Sequence, residues 1–199
     1  MARLAVLASG NGSNFQALAE AIEARPLGAG PQHECALLIY DRKAAYAAQR
    51  AANLGIAARY VGYFNRDAEE AEAEIGTALD AARVDIVALA GFMRHLTPSF
   101  VEARMGRVVN VQPSLLPNWP GAHAIERAYE AGGREFGVTV HLVDAGMDTG
   151  PIVACESFQA EPEDSLSDIE SKVHAIEHDL FPRAVLGLLD AVEGGRGNL

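Results

Sequence analysis

The stretch RLAVLASGNGSN, Arg3 to Asn14, decides the fold. Its first six residues are mostly apolar, with no alternation and too few turns for a helix. They read as a strand buried on both faces. Ser9 to Asn14 follows with two glycines, and Phe15 to Glu23 then carries a helical pattern. Strand, glycine turn and helix in that order open a doubly wound α/β unit. Its helix start offers unpaired N–H groups to an anion. The spacing is neither GxGxxG nor a Walker A motif, since residue 15 is Phe and no GK[ST] follows. A single phosphate therefore fits better than a dinucleotide or a nucleoside triphosphate. A plain β–α turn with Ser13 or Asn14 as helix cap fits the same residues.

The pattern repeats outward from there. Cys35 to Tyr40, Ala57 to Val61, Asp85 to Ala90 and Val108 to Val111 read as further strands. Between them, Ala44 to Leu54 and Ala68 to Ala82 read as helices. This predicts a doubly wound, mostly parallel sheet covered on both faces. After a helix over Ile125 to Ala131, Gly137 to Val143 and Ile152 to Phe158 alternate like half-exposed strands, which predicts antiparallel additions. Ser165 to Asp168 matches a capping box, and Leu166, Ile169, Val173, Ile176 and Leu180 share the face of the helix it starts. One domain is expected over residues 1–192, with a Gly-rich, frayed tail from Glu193 to Leu199.

With 199 residues, the chain needs no staples, and its two cysteines, Cys35 and Cys155, form neither a CxxC pair nor a metal spacing. A reducing cytoplasm is the expected compartment; nothing reads as a signal peptide or a membrane span. The net charge of −11 argues against nucleic-acid partners. Small-molecule substrates, with the chain as monomer or homodimer, are expected.

In such a sheet, ligands sit beyond the carboxyl ends of the strands. There, GFMRHLTP (Gly91 to Pro98) is an apolar loop that suits a flat aromatic ligand, and equally a loop whose Phe92 and Met93 fold into the core. In RVVNVQPSLLPNWPGAHAI (Arg107 to Ile125), Asn110 and Gln112 alternate, so their side chains point the same way. Paired amides at a strand end can hold a carbonyl oxygen and an attacking amine, or can simply be hydrogen-bonded with no ligand, and neither can exchange a proton near neutral pH. His123 follows at Pro120-Gly121-Ala122-His123, and His141 lies mid-strand, where a structural role is the expectation. Asp144 and Asp148 sit in a Gly-rich loop with too few oxygen ligands for calcium, so no metal is predicted.

Together, SGNGSNFQAL, VALAGFMRHL, NVQPSLLPNWPGAHAI and GVTVHLVDAGMDTGPIV resemble the folate-dependent formyltransferases, and among them those acting on glycinamide ribonucleotide. The resemblance runs from about Arg3 to Leu189. It implies transfer of the formyl group of 10-formyltetrahydrofolate, a co-substrate, to the glycine amine of glycinamide ribonucleotide in purine synthesis. It places Gly10, Asn11, Gly12, Ser13 and Asn14 around the phosphate and Glu177 on the ribose. Arg94, His95, Leu96, Val143 and Asp144 would line the folate site, with Met93 and Asn110 near the reacting centre. The family's catalytic trio is Asn, His and Asp; Asn110 and Asp148 match two of them. The family motif Asn-x-His-Pro-Ser reads Asn110-Val-Gln112-Pro-Ser114 here, so Gln112 stands where the resemblance has histidine. Gln112 is then expected to serve as an oxyanion donor, with Asp148 taking the proton, aided by His123. Another amine acceptor, or folate or nucleotide binding with little catalysis, fits the same departure.

Overall fold

The computed structural model describes residues 1–26 and 28–196. The chain runs β1 (Arg3–Ala8), α1 (Ser13–Glu23), β2 (Glu34–Tyr40), α2 (Ala47–Asn53), β3 (Ala58–Tyr60), α3 (Ala68–Ala81) and β4 (Ile86–Leu89). It continues through α4 (Pro98–Ala103), β5 (Val108–Gln112), α5 (Ala124–Glu130), β6 (Glu135–Leu142), β7 (Ile152–Gln159) and α6 (Leu166–Arg196). Seven strands form one sheet in the order β3-β2-β1-β4-β5-β6-β7. The first five pair in parallel, and β6 and β7 are added antiparallel.

Burial explains the strand sequences. Leu4, Val6 and Ala8 of β1 face one apolar layer with Phe15 and Leu18 of α1 and Val173, Phe181 and Val185 of α6. Ala5 and Leu7 face the other, with Ile75 and Leu79 of α3 and Phe100 of α4. A strand covered on both sides has no polar face to show, hence the unbroken run. The reciprocal cap at the start of α6 is present: Ser165 N donates to Asp168 Oδ2 at 2.9 Å and Asp168 N to Ser165 Oγ at 3.3 Å.

Three elements differ from the sequence reading. Helix α2 starts at Ala47, because Ala45 N closes a turn on Arg42 O and Ala47 N bonds Gly10 O instead of a helical partner. Helix α4 has no counterpart in the reading; six residues give the hydrophobic period no room to show. It is anchored by Thr97, which accepts from Phe100 N, by Pro98 in its first turn, and by the buried Glu72 of α3, which accepts from Thr97 N. Helix α6 continues through Arg196, past the residue 192 boundary expected for the domain, and residues 197–199 lie outside those described. Among the described residues, no helix is long and apolar enough to cross a membrane.

The strand order reverses between β1 and β4, and there the two loops are stitched together. Ser9 N donates to Gly91 O at 3.1 Å and Met93 N to Ser9 Oγ at 2.8 Å. The register sets Leu7, Leu89, Asn110 and His141 in one row across four strands. Strand β4 ends in that row while β5 runs two residues further, to Gln112. The crevice therefore opens beside Asn110.

Candidate active site

Asn110 and His141 are cross-strand neighbours, so their side chains stand on the same face of the sheet. Asn110 Nδ2 lies 3.2 Å from His141 Nε2. The other ring nitrogen, Nδ1, is 2.9 Å from Leu142 O. A carbonyl only accepts, so Nδ1 carries its proton, and any proton the ring gains or loses is at Nε2. Nε2 also faces Asp148, whose Oδ1 is 3.5 Å away, farther than a close hydrogen bond. Gly121 N donates to the other oxygen, Asp148 Oδ2, at 2.7 Å. Asp148 is held below the usual carboxylate range, first by His141 beside it. Its own partial burial opposes this, while the Gly121 N–H and the nearby His95 assist.

Gln112 is buried at the end of β5. Its Nε2 donates to Gly121 O at 2.9 Å and lies 3.4 Å from Trp119 O. The amide that the sequence reading offers to an oxyanion is thus engaged by the following loop. His123 is not brought to the cluster: its side chain is 77% exposed and Nδ1 sits 3.0 Å from Glu126 Oε1. His141, which the sequence reading treats as structural, lies between Asn110 and Asp148. Only the antiparallel register of β5 and β6 sets it opposite Asn110, and no spacing in the sequence states that register.

Around the first loop, Gly12 is the N-cap residue of α1, in left-handed backbone (φ 76°), with no side-chain cap. Neither Ser13 nor Asn14 caps the helix, so no side chain competes for its first N–H groups. Asn14 Nδ2 instead donates to Glu177 Oε2 at 3.2 Å, tying the loop to α6. Burial pushes the Glu177 carboxyl up, against the Asn14 hydrogen bond. Arg50 of α2 braces the loop by donating to Asn11 O at 2.9 Å and Asn11 Oδ1 at 2.8 Å. The sequence reading did not single out Arg50; its neighbours in α2 are mostly alanine and carry no motif.

On the other side of the crevice, Arg94 Nε donates to the buried Asp41 at 2.6 Å, and its guanidinium lies 5.0 Å from the Tyr63 ring centroid. Met93 and His95 are exposed, while Leu96 and Val143 pack on the same apolar layer. Asp144 Oδ1 accepts from Gly146 N and Thr149 Oγ1, folding its own loop. Two buried polar atoms beside Arg94, Asp41 Oδ1 and Tyr63 OH, have no protein partner. Among the described residues, no group of three or more His, Cys, Asp or Glu is arranged to hold a metal ion.

Residues 2–185 match the formyl transferase family. The chain is 38% identical to the phosphoribosylglycinamide formyltransferase of Bacillus subtilis, over 95% of each chain. It is 41% identical to the trifunctional purine biosynthetic protein adenosine-3 of Drosophila melanogaster over 94% of its own length, but spans only 14% of that larger protein. The crystal structure of glycinamide ribonucleotide transformylase 1 from Geobacillus kaustophilus superposes with a TM-score of 0.87 at 41% identity, covering 95% of this chain and 99% of that one. The chain belongs to the formyl transferase family, and within it to the phosphoribosylglycinamide formyltransferases.

Proposed function

We propose that this protein transfers a formyl group from 10-formyltetrahydrofolate to the glycine amine of glycinamide ribonucleotide, in the cytoplasm. The observation that carries this reading is the meeting of an amide, an imidazole nitrogen and a carboxylate at His141 Nε2. Formyl transfer needs a donor for the developing oxyanion and an acceptor for the amine proton, and these groups can supply both. As the amine adds to the formyl carbon, the carbonyl oxygen gains negative charge and the amine must lose a proton. Asn110 has an N–H left over from its contact with His141 and donates it to that oxygen; one such donor is typically worth about 10²–10³ in rate. Asp148, ionised, takes the amine proton, directly or through His141 Nε2. The same proton is returned to the folate nitrogen as its bond to the formyl carbon breaks, so the site ends as it began.

The folate donor supplies the activated formyl group. The residues that would hold it fit: Arg94 is fixed by Asp41 and Tyr63, two unpartnered buried polar atoms stand beside it, and Met93 is open to the crevice. The acceptor's phosphate would rest on Gly10 to Asn14 and its ribose hydroxyls on Glu177. A backbone cradle of this kind holds an anion despite a net charge of −11.

Two measurements address the acceptor. Removing the acceptor's phosphate should abolish saturation in the millimolar range while leaving donor binding intact; equal use of nucleotide and nucleoside would exclude the cradle. Gly12→Ala should raise the acceptor KM by about tenfold or more. Its new Cβ would require left-handed backbone and would meet Ala47 Cβ at 2.6 Å. An unchanged acceptor KM in that variant would move the phosphate elsewhere.

A further inference from the structure

Gln112 has no proton to give near neutral pH, yet it is buried beside the site and bonded to the loop that follows it. The loop above it passes through left-handed backbone at Trp119, Gly121 and His123, with φ of 54°, 78° and 56°. Two of these are not glycine, so this conformation persists only if the surroundings hold it. The pins are Gln112 Nε2 on Gly121 O, Ser114 Oγ on Trp119 O at 3.0 Å, and Arg127 on Pro120 O. Gly121 is held on both sides: its carbonyl by Gln112 and its N–H by Asp148 Oδ2.

We propose that Gln112 is a positioning residue, acting through Gly121 to keep a backbone N–H on Asp148 and so aim the carboxylate at His141. An N–H donated to a carboxylate favours its ionised form. It also fixes which oxygen faces His141 Nε2. The charged and titratable groups facing Asp148 are His141 from β6 and His95 from the loop after β4. Asp144, on the same loop as Asp148, is turned onto Gly146 and Thr149. Loosening Gly121 therefore changes the state and aim of Asp148 without touching either ligand's binding residues.

The kinetic part of this inference rests on the formyl-transfer reading; the titration part does not. The test uses Gln112→Met, which keeps bulk and loses the donor, and Gln112→Asn, whose shorter amide falls short of Gly121 O. Asp148 is titrated by NMR of the ¹³C-labelled carboxyl, assigned by its absence in Asp148→Asn, alongside pH profiles of kcat. The Asp148 midpoint should rise by about one pH unit in both variants. Formyl-transfer kcat should fall about tenfold, with both KM values little changed. An unmoved midpoint overturns the proposal, and a pH-independent loss of about 10²–10³ in kcat with that unmoved midpoint would make Gln112 a direct oxyanion donor. Absence of formyl transfer in the wild type would count against the enzyme reading alone, and the NMR midpoints would still decide the role of Gln112. Should Gln112→Met fail to fold, Gln112→Asn carries the same two outcomes.

Discussion

Asp148→Asn is expected to lower kcat/KM for formyl transfer by about 10²–10⁴. The side chain keeps its shape, and its Oδ atom still accepts from Gly121 N, so the loop and the fold should stand. What disappears is the group proposed to accept the amine proton; an amide cannot. Both KM values should stay within a few-fold of wild type, because the loss falls on the proton-transfer step. The pH dependence follows from the same residue. Asp148 must be ionised to act, and His141 and the Gly121 N–H hold it below the usual carboxylate range. As pH falls, activity that depends on Asp148 is therefore retained until that lowered value is passed. Above it, this group contributes no further change. A wild-type pH profile of kcat/KM that declines within or above the usual carboxylate range, and that keeps this decline when His95 or His123 is replaced, would contradict the assignment.

His141→Asn should cost about 10² in kcat and, in addition, move the remaining acid limb upward. His141 is the largest cause of the lowered Asp148 value, ahead of the Gly121 N–H, so its removal returns the carboxylate toward its usual range. The direction matters. A carboxylate whose charged form loses a partner binds its proton more readily, so the limb shifts to higher pH. His123→Asn should do neither, since His123 points to solvent and pairs with Glu126. If the His123 variant moved the limb and the His141 variant did not, the two histidines would have to exchange roles. Gln112 cannot titrate, and the sequence reading offers His123 as the aid to proton transfer. The structure puts a different imidazole, His141, beside both Asn110 and Asp148.

The division between what was legible and what was not has physical reasons. Strands such as Arg3 to Ala8 and Asp85 to Ala90 announce themselves because burial on both faces leaves no polar residue in them. Asn110 and Gln112 were found as a pair because strand periodicity is two. Gly10 to Asn14 stands out as a candidate cradle because a glycine turn before a helix is a local feature. The roles that escaped are non-local. His141 gains its place from the register of two antiparallel strands, Gly121 from a side-chain bond 9 residues back in sequence and another 27 residues ahead. Arg50 reaches the first loop across 39 residues. Helix α4 is held by the buried Glu72, 25 residues earlier, rather than by any pattern of its own. Gln112 illustrates both halves: its position on the strand face is written in the sequence, while its partners are not.

The most direct test of the account is steady-state formyl transfer from 10-formyltetrahydrofolate to glycinamide ribonucleotide by the wild-type chain, followed by folate absorbance, with Asp148→Asn beside it. Turnover of order 1–10³ s⁻¹ is expected for the wild type, falling by at least about 10² in the variant. Saturable binding of both ligands without turnover, or a variant as fast as wild type, would contradict it.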